Sequence, residues 1–267
     1  MSIHPTASIH PTAIVADGAV IGADCKIGPF CTVGANVTLG DECELISHVV
    51  LDGHTIFGKK NRIYSFACLG IAPQDLKYNN EPTQLLVGDG NDIREYVTIS
   101  RGTVGGGGIT RLGSNCLVMA YVHIGHDSVI GNGCILPNGA TLAGHVTVED
   151  FAVLSANAPV HQFCTIGRYA YIGGGTTITQ DVLPYSLTSV ERKNHAYGLN
   201  KVGLQRRGFT AEELRELQSA MRSLTSGKLN TTQACEQITD MVESGGAGEH
   251  VKYLLDFVKK SERGVIK

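Results

Sequence analysis

The 267-residue chain contains no tryptophan, and aromatic residues make up only 6% of it. Its formal net charge is −3 at pH 7, which gives no electrostatic indication of nucleic-acid binding. No run approaches the roughly eighteen apolar residues that a membrane-spanning helix requires, so no membrane span is expected. Residues 1–13 have neither the basic nor the apolar segment of a secretory signal, and we therefore expect a cytoplasmic protein.

A six-residue period dominates what is present. An aliphatic residue, replaced once by Phe57, recurs at every sixth position from Ile3 to Leu69 and again from Leu112 to Ile178. The next position is often glycine, which tolerates the positive φ of tight corners. A period this short, held through two runs of twelve, indicates a solenoid of short strands. Three hexads would close one coil, so residues eighteen apart should lie about 4.8 Å above one another.

Six of the eight cysteines share one position of the hexad, which other repeats fill mainly with alanine. We interpret them as small residues that pack inward, and disulfide bonds are not expected. The chain has no CxxC pattern, so its thiols indicate no metal site. The six are Cys25, Cys31, Cys43, Cys116, Cys134 and Cys164.

Two insertions interrupt the period, near residues 71–85 and near 102–111. The first is polar and contains two prolines, whereas the second contains four consecutive glycines and is predicted to be a mobile loop. Binding residues tend to lie on loops that a rigid scaffold holds in place. Both insertions are therefore candidates for substrate contacts.

The hexads give way to a turn-rich segment over residues 184–208 and then to helical spacing. Thr210 followed by Glu213 predicts a capping box at the start of a helix, and two more helices are expected after it. The expected domains are a β-helix over residues 1–187 and a C-terminal helical domain over residues 188–267.

The segment HIGHD in the second run of hexads carries the clearest candidates for chemistry. On the eighteen-residue lattice, Gly144 lies one coil from His126 and Gln162 lies two coils from it, while His145 stacks on Asp127. An imidazole beside a carboxylate suits a general base, and a glycine N–H nearby suits an oxyanion. The group therefore indicates an acyl-transfer site, although a histidine at a polar corner is also compatible with a solvated surface residue.

Motifs along essentially the whole chain resemble those of the UDP-N-acetylglucosamine O-acyltransferases of lipid A biosynthesis. These motifs are QDLKYNNEPT, HIGHD, TLAGHV, VHQF, QDVLPY, NHAYGLN and GLQRRGF. The resemblance implies a mainly β fold, a left-handed parallel β-helix (hexapeptide-repeat solenoid) with a small C-terminal α-helical domain. It implies a homotrimer with active sites in clefts between neighbouring subunits. It also implies transfer of a 3-hydroxyacyl chain from acyl carrier protein to the 3-hydroxyl of UDP-N-acetylglucosamine, with no metal and no cofactor.

The same resemblance assigns roles to individual residues. His126 would be the general base, Asp127 would orient and polarise it, and the N–H of Gly144 would stabilise the oxyanion. Gln162 and His145 would position the acyl chain and the sugar. The other substrate-binding candidates are Asp75, Lys77, His123, His161, Asn200, Arg206 and Arg207.

Two residues depart from the family pattern. Ser100 stands where the family has histidine in the motif TIHRG, and Val202 stands where an acidic residue is expected. These departures leave open a 3-amino UDP-sugar as acceptor, which would make the protein an N-acyltransferase.

Gly174 matches the position that limits acyl length in the family and implies a long hydrocarbon groove. Basic residues are candidates for docking the acidic carrier protein, namely Arg168, Lys193, Lys201, Arg206 and Arg207.

Two other classes of protein are open from the residues alone. A γ-type carbonic anhydrase is also a trimeric left-handed β-helix and binds zinc through three histidines across a subunit interface, for which His123, His126 and His145 would be the candidates. However, neither the loop containing Lys77 nor the RRGF segment has a counterpart in that class. A binding solenoid without catalytic activity is the third possibility.

Overall fold

The computed structural model describes residues 2–191 and 193–267, apart from the side chains of residues 190–195 and 197. Short parallel strands follow the hexad period and stack into three sheets in this described part of the chain. Ser2 pairs with Val20 and Ile3 with Ile21, which is the predicted eighteen-residue offset. The prediction of a mainly β, parallel β-helix is confirmed.

The strands are grouped by sheet. Sheet A contains Ser2–Ile3, Val20–Ile21, Val37–Leu39, His54–Phe57, Gln84–Val87, Ile109–Leu112, Val129–Ile130, Thr147–Val148, Thr165–Ile166, Asp181–Val182 and Val265–Ile266. Sheet B contains Ser8–Ile9, Lys26–Ile27, Glu44–Leu45, Arg62–Ile63, Asp92–Ile93, Leu117–Val118, Ile135–Leu136, Val153–Leu154, Tyr171–Ile172, Ser186–Glu191 and Lys193–Leu199. Sheet C contains Ile14–Val15, Thr32–Val33, Val50–Leu51, Cys68–Ile71, Thr98–Ser100, His123–Ile124, Thr141–Leu142 and Pro159–Val160.

The second residue of each two-residue strand points inward and forms the core. Ile63, Ile124 and Leu142 are 0% exposed, as are most of their stacked equivalents. Removing one such side chain from water contributes about 1.5–3 kcal/mol, so the stacked hexads supply the main stabilisation of the coils. The six cysteines that share one hexad position are buried and free, which confirms that they pack inward.

Both insertions leave the solenoid at the same corner, where the chain passes from sheet C to sheet A. We call it the C/A corner. The first loop spans residues 72–83 and the second spans residues 101–108. Strands therefore reach further into both insertions than the sequence indicates, and the glycine-rich segment forms a 3-10 turn, Val104–Gly106. The two loops consequently lie along the C/A corner of the solenoid.

The C-terminal part adds a hairpin and four helices to the described structure. Strand Ser186–Glu191 continues sheet B and pairs antiparallel with Lys193–Leu199, in the segment that the sequence suggested was only turn-rich. The predicted domain boundary after residue 187 falls inside this hairpin, and the division into domains stays a prediction. The helices are Lys201–Arg206, Ala211–Thr225, Thr231–Glu243 and Glu249–Lys260.

Local signals explain where these helices begin. Thr210 and Glu213 form the predicted capping box at the start of the second helix, and Asn230 and Gln233 form another at the third. The helices bury their own apolar cluster, and the chain then returns to pair Val265–Ile266 with sheet A. None of the helices among the described residues is long and apolar enough to cross a membrane.

Candidate active site

The carboxylate of Asp127 is the centre of the candidate site. Asp127 lies at the C/A corner with φ 59°, and its side chain is 0% exposed. Nδ1 of His126 lies 2.8 Å from its Oδ2. An ionised carboxylate only accepts hydrogen bonds, so this contact places a hydrogen on Nδ1 and leaves Nε2 free to accept a proton. His126 and Asp127 therefore form a pair that can act as a base.

Gly144 packs directly against the imidazole of His126. A Cβ added at Gly144 would lie 2.6 Å from Cε1 and 2.8 Å from Nε2 of that ring. Only glycine allows this approach, and it brings backbone close to the nitrogen that is free to accept a proton. The lattice prediction that Gly144 lies beside His126 is thus reproduced by the coordinates, whereas its role with an oxyanion stays a prediction.

His145 stacks above Asp127 at the next coil. Its Nε2 lies 3.8 Å from Oδ2 of Asp127, and its ring stacks on Phe163 with 4.5 Å between centroids. Ligand atoms of His126, Asp127 and His145 lie within 4.8 Å of one another. Among the described residues of one chain, His123 does not belong to this group, in which the carboxylate of Asp127 lies beside the two histidines.

His123 lies on the neighbouring strand of sheet C and has a different partner. Its Nδ1 lies 2.8 Å from Oγ1 of Thr98, the residue opposite it on the adjacent strand. Burial lowers the pKa of His123, and a repulsive interaction with His126 lowers it further. His123 is therefore neutral near pH 7 and available for hydrogen bonding.

The other candidates near this corner are more exposed. His161 and Gln162 lie on the solenoid surface, where Nδ1 of His161 is 3.1 Å from the carbonyl oxygen of Gln162. On the first loop, the carboxylate of Asp75 accepts the N–H of Lys77 at 3.0 Å, and the Lys77 side chain is exposed. These residues therefore lie on the surface, at the C/A corner or on the loop that leaves it.

Arg101 anchors the first loop. Its Nε donates to the hydroxyl of Tyr78 at 2.9 Å, and its Nη1 donates to the carbonyl of Gly70 at 2.8 Å. Neither Arg101 nor Thr98 was predicted from the sequence. Both act through contacts between loops or strands that the hexad lattice alone does not specify.

Asn200, Arg206 and Arg207 lie elsewhere on the chain. They line a cavity of about 670 Å³ against sheet B. The guanidinium of Arg207 lies 4.3 Å from the ring centroid of Phe151, at the corner between sheets A and B. The described chain therefore brings these three residues together with one another but not with His126.

Several other predicted residues can be placed. Gly174 is exposed, and a Cβ there would come no closer than 3.7 Å to another heavy atom, the carbonyl oxygen of Ala156. Val202 is 60% exposed and lines the same cavity as Arg206. Ser100 is 1% exposed, and its hydroxyl finds no hydrogen-bond partner among the described residues. Ser100 is thus buried within the protein, and its side chain does not line an open cleft.

The basic residues predicted to dock a carrier protein differ in availability. Arg168 donates from Nε to the hydroxyl of Tyr185 at 2.7 Å, and its guanidinium lies 3.4 Å from the ring centroid of Tyr253. These contacts hold the C-terminal helices on the solenoid, so Arg168 has a structural role. The side chain of Lys193 lies outside the described residues. Lys201, by contrast, is exposed beside the cavity.

The fold and this corner together define a class of protein. A solenoid of stacked hexads, with a histidine–carboxylate pair at the corner from which two loops leave it, agrees with a hexapeptide-repeat transferase. Residues 1–35, 18–53 and 109–144 match the profile described as bacterial transferase hexapeptide (six repeats). Residues 181–266 match the profile described as domain 2 of UDP-N-acetylglucosamine O-acyltransferase.

Comparison with whole proteins identifies the family. The acyl-[acyl-carrier-protein]–UDP-N-acetylglucosamine O-acyltransferase of Burkholderia orbicola is 44% identical over 79% of this chain and 80% of its own length. The protein of the same name from Stenotrophomonas maltophilia is 41% identical over 79% of each chain. The chain belongs to the acyl-[acyl-carrier-protein]–UDP-N-acetylglucosamine O-acyltransferase family, and it is an acyltransferase.

Solved structures agree with this assignment. The UDP-N-acetylglucosamine acyltransferase of Francisella novicida superposes with a TM-score of 0.87 at 39% identity, covering 99% of this chain and 93% of that one. The UDP-N-acetylglucosamine O-acyltransferase of Moraxella catarrhalis gives a TM-score of 0.86 at 40% identity and covers 100% of both chains. The likeness therefore includes the helical domain as well as the solenoid.

Proposed function

We propose that this protein transfers a 3-hydroxyacyl chain from acyl carrier protein to the 3-hydroxyl of UDP-N-acetylglucosamine, the first step of lipid A biosynthesis. The observation that carries the proposal is the 2.8 Å contact between Nδ1 of His126 and the buried carboxylate of Asp127. It leaves Nε2 available as a base in a chain whose relatives carry the name of this reaction.

The reaction follows from this geometry as general base catalysis. Nε2 of His126 takes the proton of the sugar 3-hydroxyl while that oxygen attacks the thioester carbonyl carbon. Asp127 stabilises the imidazolium that forms, and the N–H of Gly144 donates to the tetrahedral oxyanion. The intermediate then collapses, the carbon–sulfur bond breaks, and the imidazolium returns the proton to the departing thiolate. No group of the enzyme becomes acylated.

The other candidates would bind the substrates. His123, His145 and Gln162 lie at or near the corner that carries the base and would position the sugar and the acyl chain. His161 and the first loop, with Asp75 and Lys77, would add further contacts. The open surroundings of Gly174 are compatible with a long hydrocarbon groove.

We also propose that the active site forms between neighbouring copies in a homotrimer. Asn200, Arg206 and Arg207 line a cavity against sheet B, away from the corner that carries His126. A neighbouring copy that presents this cavity to the C/A corner would bring the cations to the diphosphate of the sugar nucleotide. Lys201 beside the cavity could receive the acidic carrier protein. The substrates imply a cytoplasmic location.

The test is a transfer assay with 3-hydroxyacyl carrier proteins of several chain lengths. Each donor is combined with UDP-N-acetylglucosamine or with its 3-amino analogue. The wild type should form an ester with the first acceptor, and His126→Ala should lose about 10²–10⁴-fold in kcat. A clear preference for the 3-amino sugar, with an amide product, would establish the N-acyltransferase alternative instead.

A matched control uses a histidine at another corner. His48→Ala removes an imidazole that stacks between two aromatic rings and has no carboxylate against it among the described residues. This variant should keep wild-type activity. Full activity of His126→Ala would contradict the base assignment, and absence of transfer by the wild type with every donor would contradict the proposed function.

A further inference from the structure

The second insertion covers the carboxylate of Asp127 with a short turn that the sequence analysis did not predict. Val104–Gly106 form one turn of 3-10 helix, and Thr103 caps its start. Thr103 is only 8% exposed, and the side chain of Asp127 is 0% exposed. We call the two residues that contact the carboxylate, Thr103 and Gly106, the carboxylate cap.

Thr103 donates two hydrogen bonds to this carboxylate. Its N–H donates to Oδ1 of Asp127 at 2.8 Å, and its hydroxyl donates to Oδ2 at 2.6 Å. Oγ1 of Thr103 also accepts the N–H of Gly106 at 3.2 Å. With Nδ1 of His126 at 2.8 Å, three donors converge on one carboxylate and hold it in one orientation.

Gly106 has a steric reason to be glycine. A Cβ added there would lie 2.1 Å from Cγ and 2.2 Å from Oδ2 of Asp127, far closer than atoms approach without a bond. A Cβ added at Gly105 would meet nothing within 4 Å. The backbone of Gly106 therefore packs directly on the carboxylate, and the neighbouring Gly105 provides a matched control.

We propose that the carboxylate cap positions the catalytic pair, with Thr103 as a positioning residue. It holds the carboxylate of Asp127 in one orientation, and Asp127 in turn holds the hydrogen of His126 on Nδ1. Nε2 is then the nitrogen that takes the proton. This inference rests on the proposed role of His126 and adds a residue that acts only through Asp127.

Two substitutions of Thr103 separate its hydroxyl from its size. Thr103→Val keeps the branched shape and the backbone N–H but removes the hydroxyl. We expect kcat to fall about 10- to 100-fold, as misplaced catalytic groups do. KM should stay unchanged, because the lost interaction acts on the transition state. Thr103→Ser keeps the hydroxyl and should restore most of the activity, whereas equal losses in the two variants would overturn the proposal.

Two substitutions in the glycine-rich segment test the packing. Gly106→Ala should lower kcat by a similar factor, because its methyl group would displace the carboxylate. Gly105→Ala should leave both kcat and the melting temperature at their wild-type values. Equal kcat values for the two alanine variants would show that the cap does not press on Asp127.

A measurement without turnover distinguishes this proposal from the proposed function. In protein labelled with ¹⁵N at histidine, the ring signals of His126 can be assigned by their loss in His126→Gln. They should report a single Nδ1–H tautomer in wild type and Thr103→Ser, and a mixture in Thr103→Val. A mixture in wild type would overturn the cap proposal even if acyl transfer occurs. A fixed tautomer in a protein that acylates no acceptor would instead refute the proposed function and uphold the cap.

Discussion

His48 and His145 occupy equivalent positions on two corners of the solenoid. Both have left-handed backbone conformations, with φ 51° and 62°. His48 lies between sheets B and C, where its ring stacks between Phe30 and Phe66 with 4.9 Å between centroids on each side. His145 lies at the C/A corner, where its ring stacks on Phe163 at 4.5 Å. The stacking of rings therefore does not distinguish the two corners.

The two corners differ in the residue that lies one coil before the histidine and in whether a loop covers that residue. His145 lies over Asp127, whose carboxylate is buried by the carboxylate cap. The corner of His48 carries aromatic residues at the equivalent positions of neighbouring coils, and Phe30, Phe66, Tyr96 and Tyr121 are 44–64% exposed. The repeat supplies one backbone geometry many times, and an insertion gives a single instance of it the cover that the proposed active site uses.

Removing the charge of Asp127 should have the largest effect on this comparison. Asp127→Asn keeps the size of the side chain but no longer fixes the His126 tautomer or stabilises an imidazolium. We expect kcat to fall about 10²–10⁴-fold in the transfer assay, in line with the loss of the acid partner of a catalytic histidine.

The matched control is Asp150→Asn. The carboxylate of Asp150 accepts the N–H of Asn132 at 2.6 Å and has a structural role at another corner. It should lower stability without changing kcat. If both variants lost activity equally, the C/A corner would have no special role in catalysis.

The contrast between corners also explains what the sequence could predict. The offset between stacked residues is eighteen wherever the hexads run unbroken, so the neighbourhood of His126, Gly144 and His145 followed from counting. Counting could not identify Thr103 as the partner of the Asp127 carboxylate, because the second insertion raises the offset to 25 residues between Gln84 and Ile109. Thr103 reaches Asp127 through a turn whose path no period encodes.

The same reasoning applies to the second group of candidates. Asn200 and Arg207 were predicted to bind substrate, but their position in the folded structure depends on the hairpin formed by Ser186–Glu191 and Lys193–Leu199. The sequence predicted only turns in that segment, and turns do not show that these residues lie apart from His126. Their distance from the base is set by topology beyond the repeat.

Deleting a ring from the aromatic corner should affect stability and leave catalysis unchanged. Phe66 stacks on His48 at 4.9 Å and on Tyr96 at 5.0 Å. Phe66→Ala removes both contacts and should lower the free energy of unfolding by about 1–2 kcal/mol. Urea unfolding measures this loss, and kcat should remain at the wild-type value.

Phe163→Ala is the corresponding change on the C/A corner. It removes the ring that stacks on His145 and should lower both stability and kcat, because His145 then loses a support beside Asp127. If Phe66→Ala lowered kcat as much as Phe163→Ala, the expectation that only the C/A corner supports catalysis would be wrong.

The smallest expected effect concerns His123, a histidine beside the catalytic pair that has a hydroxyl partner in place of a carboxylate. Burial and the neighbouring His126 lower its pKa in the folded state. Below the ordinary histidine pKa of about 6.5, His123 is therefore protonated in the unfolded chain while it is still neutral in the folded chain. Stability consequently falls as pH drops from that value towards the lowered pKa of the folded state.

His123→Gln removes this proton linkage and keeps a group that can hydrogen-bond to Thr98. Urea unfolding between pH 7.5 and 5.5 should show a less steep loss of stability in the variant than in the wild type. His10→Gln, on an exposed coil far from the site, serves as the control and should reproduce the wild-type slope. A steeper slope in His123→Gln would mean that His123 gains a proton on folding. A negatively charged group would then have to lie close to His123, as Asp127 lies close to His126.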